Sequence, residues 1–426
     1  MQIARDVCLQ RLISRMNNGM IKVITGIRRC GKTYLLFTLF YEHLVRSGVS
    51  PEDIITVSLE DMDRIELRDP MKLYGFLQER TADPKRHYYV FIDEAQLAIS
   101  RDEMRDHDTH VRLYGVLNGL LRTGRADVYI TGSNSRFLSS DVLTEFRGRG
   151  DEFHMAPLAF SEFLHVYDGS RADAWRDFSC YGGMPLVLTE KEPEAKIRYL
   201  ERLCSEIYLR DIRERYGIRS GSGMEELMKI LASSVGSLTN PLRISRTFGS
   251  HGQKPVSLPT VARYIEYLRE CFLVQRAERF DIRGRRYVGT PSKYYFCDPG
   301  IRNAVLSFRQ YEETHLMENI IFNELVFRGY TVDVGVVETR GNNGSRRMLE
   351  VDFVVNRGPE RYYIQSAYAV PDREKLEQET ASLLRIGDSF RKIVVVNTDT
   401  PVWKTEQGIT VMGLYDFLLH EDSLNF

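Results

Sequence analysis

A chain of 426 residues with 58 Lys plus Arg against 59 Asp plus Glu has a formal charge of −1, which excludes a uniformly basic nucleic-acid coat and confines any DNA contact to a local patch. The hydrophobic share of 43% and aromatic share of 11% are those of a globular protein, and at roughly 150 residues per domain the length predicts about three domains. The 6 cysteines (Cys8, Cys30, Cys180, Cys204, Cys271 and Cys297) form no C-x-x-C pair, which argues against a structural zinc site and a disulfide framework and predicts reduced thiols. Arg5 and Asp6 precede any apolar stretch, there is no signal-peptide core, and no apolar run reaches about 18 residues, so the expected setting is cytoplasmic with no membrane contact.

Residues 1–155 alternate helical and buried-strand patterns. An amphipathic start at 7–16 precedes strand 21–24, helix 33–46, strand 54–59, helix 71–80, strand 88–92, helix 111–122 and strand 128–131. Such alternation predicts an α/β fold with parallel strands and crossover helices, whose ligands bind at the carboxyl ends of the strands. Between the first strand and the first crossover helix stands Gly26-Ile27-Arg28-Arg29-Cys30-Gly31-Lys32-Thr33, the phosphate-binding pattern G-x-x-x-x-G-K-[ST] in its required context. Gly26 and Gly31 permit the backbone angles that turn successive N–H groups toward one point at the start of a helix. Lys32 supplies charge to the β- and γ-phosphates, and Thr33 supplies a hydroxyl for Mg²⁺. Cys30 is read as a small filler. The apolar run Tyr88 to Ile92 ends in Asp93-Glu94; Asp93 is expected to hold magnesium, and Glu94 to polarise the attacking water. ATP and Mg²⁺ are therefore the expected ligands.

Residues 156–222 turn mainly helical, with Gly182-Gly183 before Pro185 read as a turn. Within 223–310, helices 225–234 and 242–247 and a third from Pro259 to Leu268 precede two strands placed at 272–277 and 286–288. Val261, Ile265 and Leu268 share one face of the third helix. Three helices and a basic hairpin predict a winged-helix domain, with Thr260, Arg263 and Tyr267 directed at a major groove and Arg283, Arg285, Arg286 and Lys293 on phosphates from the wing.

Residues 311–426 read as a separate α/β unit: helix 314–328, strands 331–336, 350–355 and 361–365, helix 372–384, strand 392–397 and helix 414–419. This order resembles the restriction-endonuclease-like fold, in which a helical Glu, a strand Asp and a Glu-x-Lys or Gln-x-Lys tripeptide hold metal and activate water. Glu318 or Glu324, Asp352 and Gln365-Ser366-Ala367 fall at those places. Ala367 stands where the resemblance requires lysine, so the expected unit is nuclease-inactive.

The phosphate loop, Phe91 to Ala95, Ile130 to Asn134, Gly148-Arg149, Tyr181 to Pro185 and the region 293–302 together resemble a prokaryotic group of AAA-type (AAA+) ATPases whose C-terminal half is a domain of unknown function. The resemblance implies an AAA+ core at 1–155, a helical lid at 156–222, a winged helix at 223–310 and the nuclease-like unit at 311–426. It implies that Ser133 or Asn134 contacts the γ-phosphate or attacking water, and that Arg149, with Arg147 second, reaches a neighbouring subunit's nucleotide. The phosphate site, the candidate winged helix and the nuclease-like unit together lead to the expectation of self-assembly, as a hexameric ring, and of hydrolysis coupled to binding or remodelling DNA, branched or forked DNA included, with a nucleotide-dependent switch or scaffold acting on protein partners as the alternative and an ATP-regulated nuclease third.

Overall fold

A computed structural model describes residues 3–100, 103, 111–133, 149–218, 222–250, 256–340 and 346–426. It divides into two compact units, Met1–Pro157 with Glu270–Phe272, and Leu158–Arg269 with Leu273–Phe426.

The first unit is built on five parallel strands: β1 (Ile21–Thr25), β2 (Ile54–Ser58), β3 (Tyr88–Asp93), β4 (Ala126–Gly132) and β5 (Gly150–His154), in the order β2-β3-β4-β1-β5. The central strands β1, β3 and β4 are buried at every position, as their near-continuous apolar runs require of a sheet covered on both faces. Helices Pro70–Arg80 and Arg112–Arg122 contribute Leu73, Leu77, Leu113, Leu117 and Leu120 to one of the layers. Asp69 accepts hydrogen bonds from the Met71 and Lys72 N–H groups and so starts the first of them. The helix after the phosphate loop runs over 32–46, with a π-type middle at Leu35–Phe40. The edge strand β5 is not legible as a strand, because its one buried residue is Phe153.

The second unit holds β6 (Val274–Ala277), β7 (Arg279–Asp281), β8 (Arg286–Tyr287), β9 (Lys293–Phe296), β10 (Thr331–Arg340), β11 (Arg346–Arg357), β12 (Glu360–Ala367), β13 (Arg391–Val396), β14 (Trp403–Lys404) and β15 (Thr410–Gly413). Eight of them form one mixed sheet, β14-β15-β13-β12-β11-β10-β7-β8, while β6 and β9 pair antiparallel. The expected helices appear as Ser222–Ser233, Pro241–Ser250 and Leu258–Glu270, the last burying Val261, Ile265 and Leu268.

The strand pairing differs from the expected one. The chain at 274–277 pairs with 293–296, and the basic turn joins β7 to β8 at the edge of the large sheet, where β7 runs parallel to β10. Arg283, Arg285 and Arg286 are therefore not the wing of the three helices. The reason is register: pairing Phe280 with Tyr287 and Asp281 with Arg286 closes a tight local hairpin, which local sequence favours over a longer excursion.

Gly182-Gly183 is more than a turn. A Cβ on Gly182 would lie 2.0 Å from Asp298 Oδ1, and the Gly183 N–H donates to Asp298 Oδ2 at 2.6 Å. Asp298 also accepts from Ile301 N at 3.0 Å, capping helix Pro299–Val305. Among the described residues no helix is long and apolar enough to cross a membrane.

Candidate nucleotide-binding site

β1 delivers the chain into the phosphate loop with Gly26 at φ 149° and Gly31 at φ 101°. A side chain at Gly26 has no room: its Cβ would stand 2.2 Å from the Met155 carbonyl oxygen. Gly31 caps the helix 32–46 in the left-handed region, so the loop before it lies at the positive end of the helix dipole. Lys32 is 4% exposed, and its Nζ donates to Gly26 O at 3.0 Å and Ile27 O at 3.1 Å. The ammonium thus closes over the loop that phosphates would share with it. Ile27 and Cys30 are buried, and the Cys30 thiol donates to Met155 O at 3.4 Å, as a filler would. Arg28 points to Glu60 at 2.9 Å, and Arg29 holds a φ of 68°. Arg5 braces the loop from behind, donating to Cys30 O at 3.4 Å and to Ala156 O at 2.9 Å.

The carboxylates stand at the end of β3. Thr33 Oγ1 donates to Asp93, 2.9 Å from Oδ2 and 3.1 Å from Oδ1. Thr131, at the end of β4, donates to Asp93 Oδ1 at 2.5 Å and accepts the Glu94 N–H at 3.0 Å. Glu94 adopts left-handed backbone angles, φ 51° and ψ 49°, which the Thr131 contact holds. Burial raises the Glu94 carboxyl above its ordinary range, against the opposing charge of Lys32. Its Oε2 accepts from Gln96 Nε2 and lies 3.5 Å from Ser133 Oγ. Thr25 Oγ1 lies 3.4 Å from His154 Nδ1, and burial together with the Lys32 charge depresses the His154 pKa to about 4.

The donors fit a magnesium ion: one hydroxyl and one carboxylate within hydrogen-bond distance of each other are hard oxygen ligands that leave further positions to water and phosphate. The expected set Gly26, Lys32, Thr33, Asp93 and Glu94 is thus brought together. Thr131 was not among the expected site residues, although it connects the two carboxylates; Ser133 reaches Glu94, and Asn134 and Arg147 lie outside the described residues. Arg149 immediately precedes β5, and its carbonyl accepts from Ile21 N at 2.8 Å at the start of β1. It therefore sits a strand's length, roughly 15 Å, from the phosphate loop of its own chain.

In the second unit Arg263, Arg283, Arg285 and Arg286 are exposed, although Arg283 donates to Arg385 O at 3.0 Å and Arg286 lies 3.7 Å from Asp281. Tyr267 stacks on Tyr216 with centroids 3.7 Å apart, and the Thr260 hydroxyl pairs with that of Ser257. Lys293 is not a surface contact. It is 2% exposed and its Nζ meets Glu350 at 2.7 Å, Glu318 at 2.8 Å and Asp352 at 3.4 Å. β9 thus brings a buried cation to Glu318, Glu350 and Asp352. Of the two candidate acids, Glu318 joins Asp352, while Glu324 pairs with Arg328 at 2.7 Å. Gln365 Oε1 lies 3.4 Å from Asp352 N, and Ser366 N donates to Asp352 Oδ2 at 2.9 Å. Burial disfavours the Lys293 ammonium, but the surrounding Tyr295, Glu318, Asp352 and Glu350 outweigh that and hold its pKa well above the ordinary lysine value. Burial also raises the Asp352 carboxyl, against the Lys293 charge.

Residues 18–164 match the AAA domain and residues 172–312 a domain of unknown function. An uncharacterized protein of Haemophilus influenzae is 32% identical over 423 residues, 98% of each chain. The chain belongs to that protein's family and carries an AAA domain. A second member-like relative of this AAA-domain chain, an uncharacterized protein of Methanocaldococcus jannaschii, is 27% identical over 402 residues, 89% of this chain and 82% of the other. A Walker-type ATPase of Pyrococcus abyssi shares the fold at 14% identity with a TM-score of 0.50, over 72% of this chain and 96% of that one.

Proposed function

We propose that this AAA-domain protein is a Mg²⁺-dependent ATPase that assembles with itself and couples hydrolysis to binding or remodelling DNA. The observation that carries the reading is the convergence of Lys32, Thr33, Asp93, Glu94 and Thr131 at the carboxyl ends of β1, β3 and β4. Lys32 binds and orients the β- and γ-phosphates. Thr33 and Asp93 present hard oxygen donors to magnesium, which when bound offsets the charge of the phosphates. Glu94, desolvated and made more basic by burial, takes the proton of the water that attacks the γ-phosphate.

Self-assembly is favoured by Arg149. Placed at the amino end of β5, a strand's length from its own phosphate loop, it acts in hydrolysis on the nucleotide of a neighbouring copy. DNA contact rests on the exposed Arg263 and on the turn carrying Arg283, Arg285 and Arg286. Within the C-terminal region, Lys293 engages all three neighbouring carboxylates, which supports recognition without cleavage. The same burial of Lys293 removes one phosphate contact from the DNA surface and so favours the second reading, a nucleotide-dependent switch acting on protein partners.

Steady-state ATP hydrolysis with no DNA, duplex DNA and forked DNA at two salt concentrations, with Glu94→Gln as the blank, tests these readings. Salt-sensitive stimulation by DNA that is lost when Arg283, Arg285 and Arg286 are replaced together supports the DNA-coupled ATPase. Hydrolysis indifferent to DNA supports the switch, and turnover unaltered by Lys32→Ala removes the proposed site.

A further inference from the structure

The short helix Ala95–Ala98 follows β3 directly and places the Gln96 side chain against Glu94. Gln96 is 9% exposed. Its Nε2 donates to Glu94 Oε2, and the opposite amide orientation would set a carbonyl oxygen against a carboxylate, so the donor side faces Glu94. This leaves Gln96 Oε1 buried with no hydrogen-bond partner. An unsatisfied buried carbonyl is costly, and it marks an arrangement that a second position of the amide would improve.

Glu94 has little freedom of its own. Its backbone is held in the left-handed region with its N–H on Thr131, so the direction of the carboxylate is decided by what holds Oε2, namely Gln96 with Ser133 at 3.5 Å. A carboxylate with one oxygen engaged by a buried amide keeps that direction until the hydrogen bond breaks.

We propose that Gln96 is a brake on hydrolysis: a positioning residue that restrains the Glu94 carboxylate until its own amide turns away. The inference rests on the ATPase reading above. When the amide turns away, the hydrogen bond to Oε2 is broken and the carboxylate is free to turn to the attacking water.

The test is Gln96→Met, which keeps the volume, removes the donor and removes the unsatisfied oxygen. Steady-state ATP turnover is measured beside equilibrium binding of a fluorescent N-methylanthraniloyl ATP. The expected result is a kcat raised on the order of tenfold with an unchanged Kd for the fluorescent nucleotide. An equal or lower kcat with nucleotide binding intact overturns the brake and leaves the ATPase reading standing. Absence of nucleotide binding by the unaltered protein overturns both. If Gln96→Met does not fold, Gln96→Asn, whose amide is one methylene short of Glu94, carries the same expectation.

Discussion

Thr131 donates its hydroxyl to Asp93 Oδ1 at 2.5 Å while accepting the Glu94 N–H at 3.0 Å. One side chain at the end of β4 therefore sets the position of both carboxylates at the end of β3. Thr131→Val keeps the shape and removes the hydroxyl, leaving a buried N–H without its acceptor. The expected outcome is a stability loss of about 1–3 kcal/mol in denaturant unfolding, with turnover reduced far more than nucleotide affinity.

Lys32→Ala and Glu94→Gln separate binding from chemistry. Lys32 closes over the loop through Gly26 O and Ile27 O, so its removal is expected to abolish binding of fluorescent ATP. Glu94→Gln retains binding and lowers kcat by about 10²-fold or more. Loss of binding in Glu94→Gln would show that Glu94 serves the fold.

Lys293→Met places Glu318, Glu350 and Asp352 around a neutral side chain. Removing one partner of a buried ion pair costs about 3–5 kcal/mol, and the Lys293 side chain is 3% exposed. Unfolding of the second unit should move to correspondingly lower denaturant, and adding Glu318→Gln should recover part of the loss. Full additivity of the two changes would show that they do not interact.

His154 gives the first unit an acid-sensitive component. Its pKa is depressed to about 4, chiefly by burial and then by the Lys32 charge, against about 6.5 in the unfolded chain. Between those values the unfolded chain binds more protons, so this contribution is complete above about pH 6.5 and is lost as pH falls toward 4. His154→Gln is expected to flatten the pH dependence of unfolding in that window; an unchanged slope would assign it to other groups.

The phosphate loop and the acidic strand were legible because each is local: glycines at fixed spacing before a helix, and an apolar run ending in two acids. Thr131 was not singled out because its role depends on the register of β4 against β3. Ile92 faces Ile130, and only that alignment brings the next residue of each strand together. β5 escaped because an edge strand with one buried residue has no apolar pattern. Lys293 was placed on a solvated wing because charge density along the chain shows a basic cluster but not its partners. Those partners, Glu318, Glu350 and Asp352, arrive from 25 to 59 positions later.

Gly26 and Arg5 together have a mechanical consequence. The phosphate loop is pressed to the Met155 carbonyl because Gly26 has no side chain, and Arg5 ties both Cys30 and Ala156 to one guanidinium. Met155 and Ala156 are the last links before the chain leaves the first unit at Pro157. The phosphate loop and the segment that ends the first unit are thereby fastened to each other at two separate points, one a close backbone approach and the other a shared guanidinium.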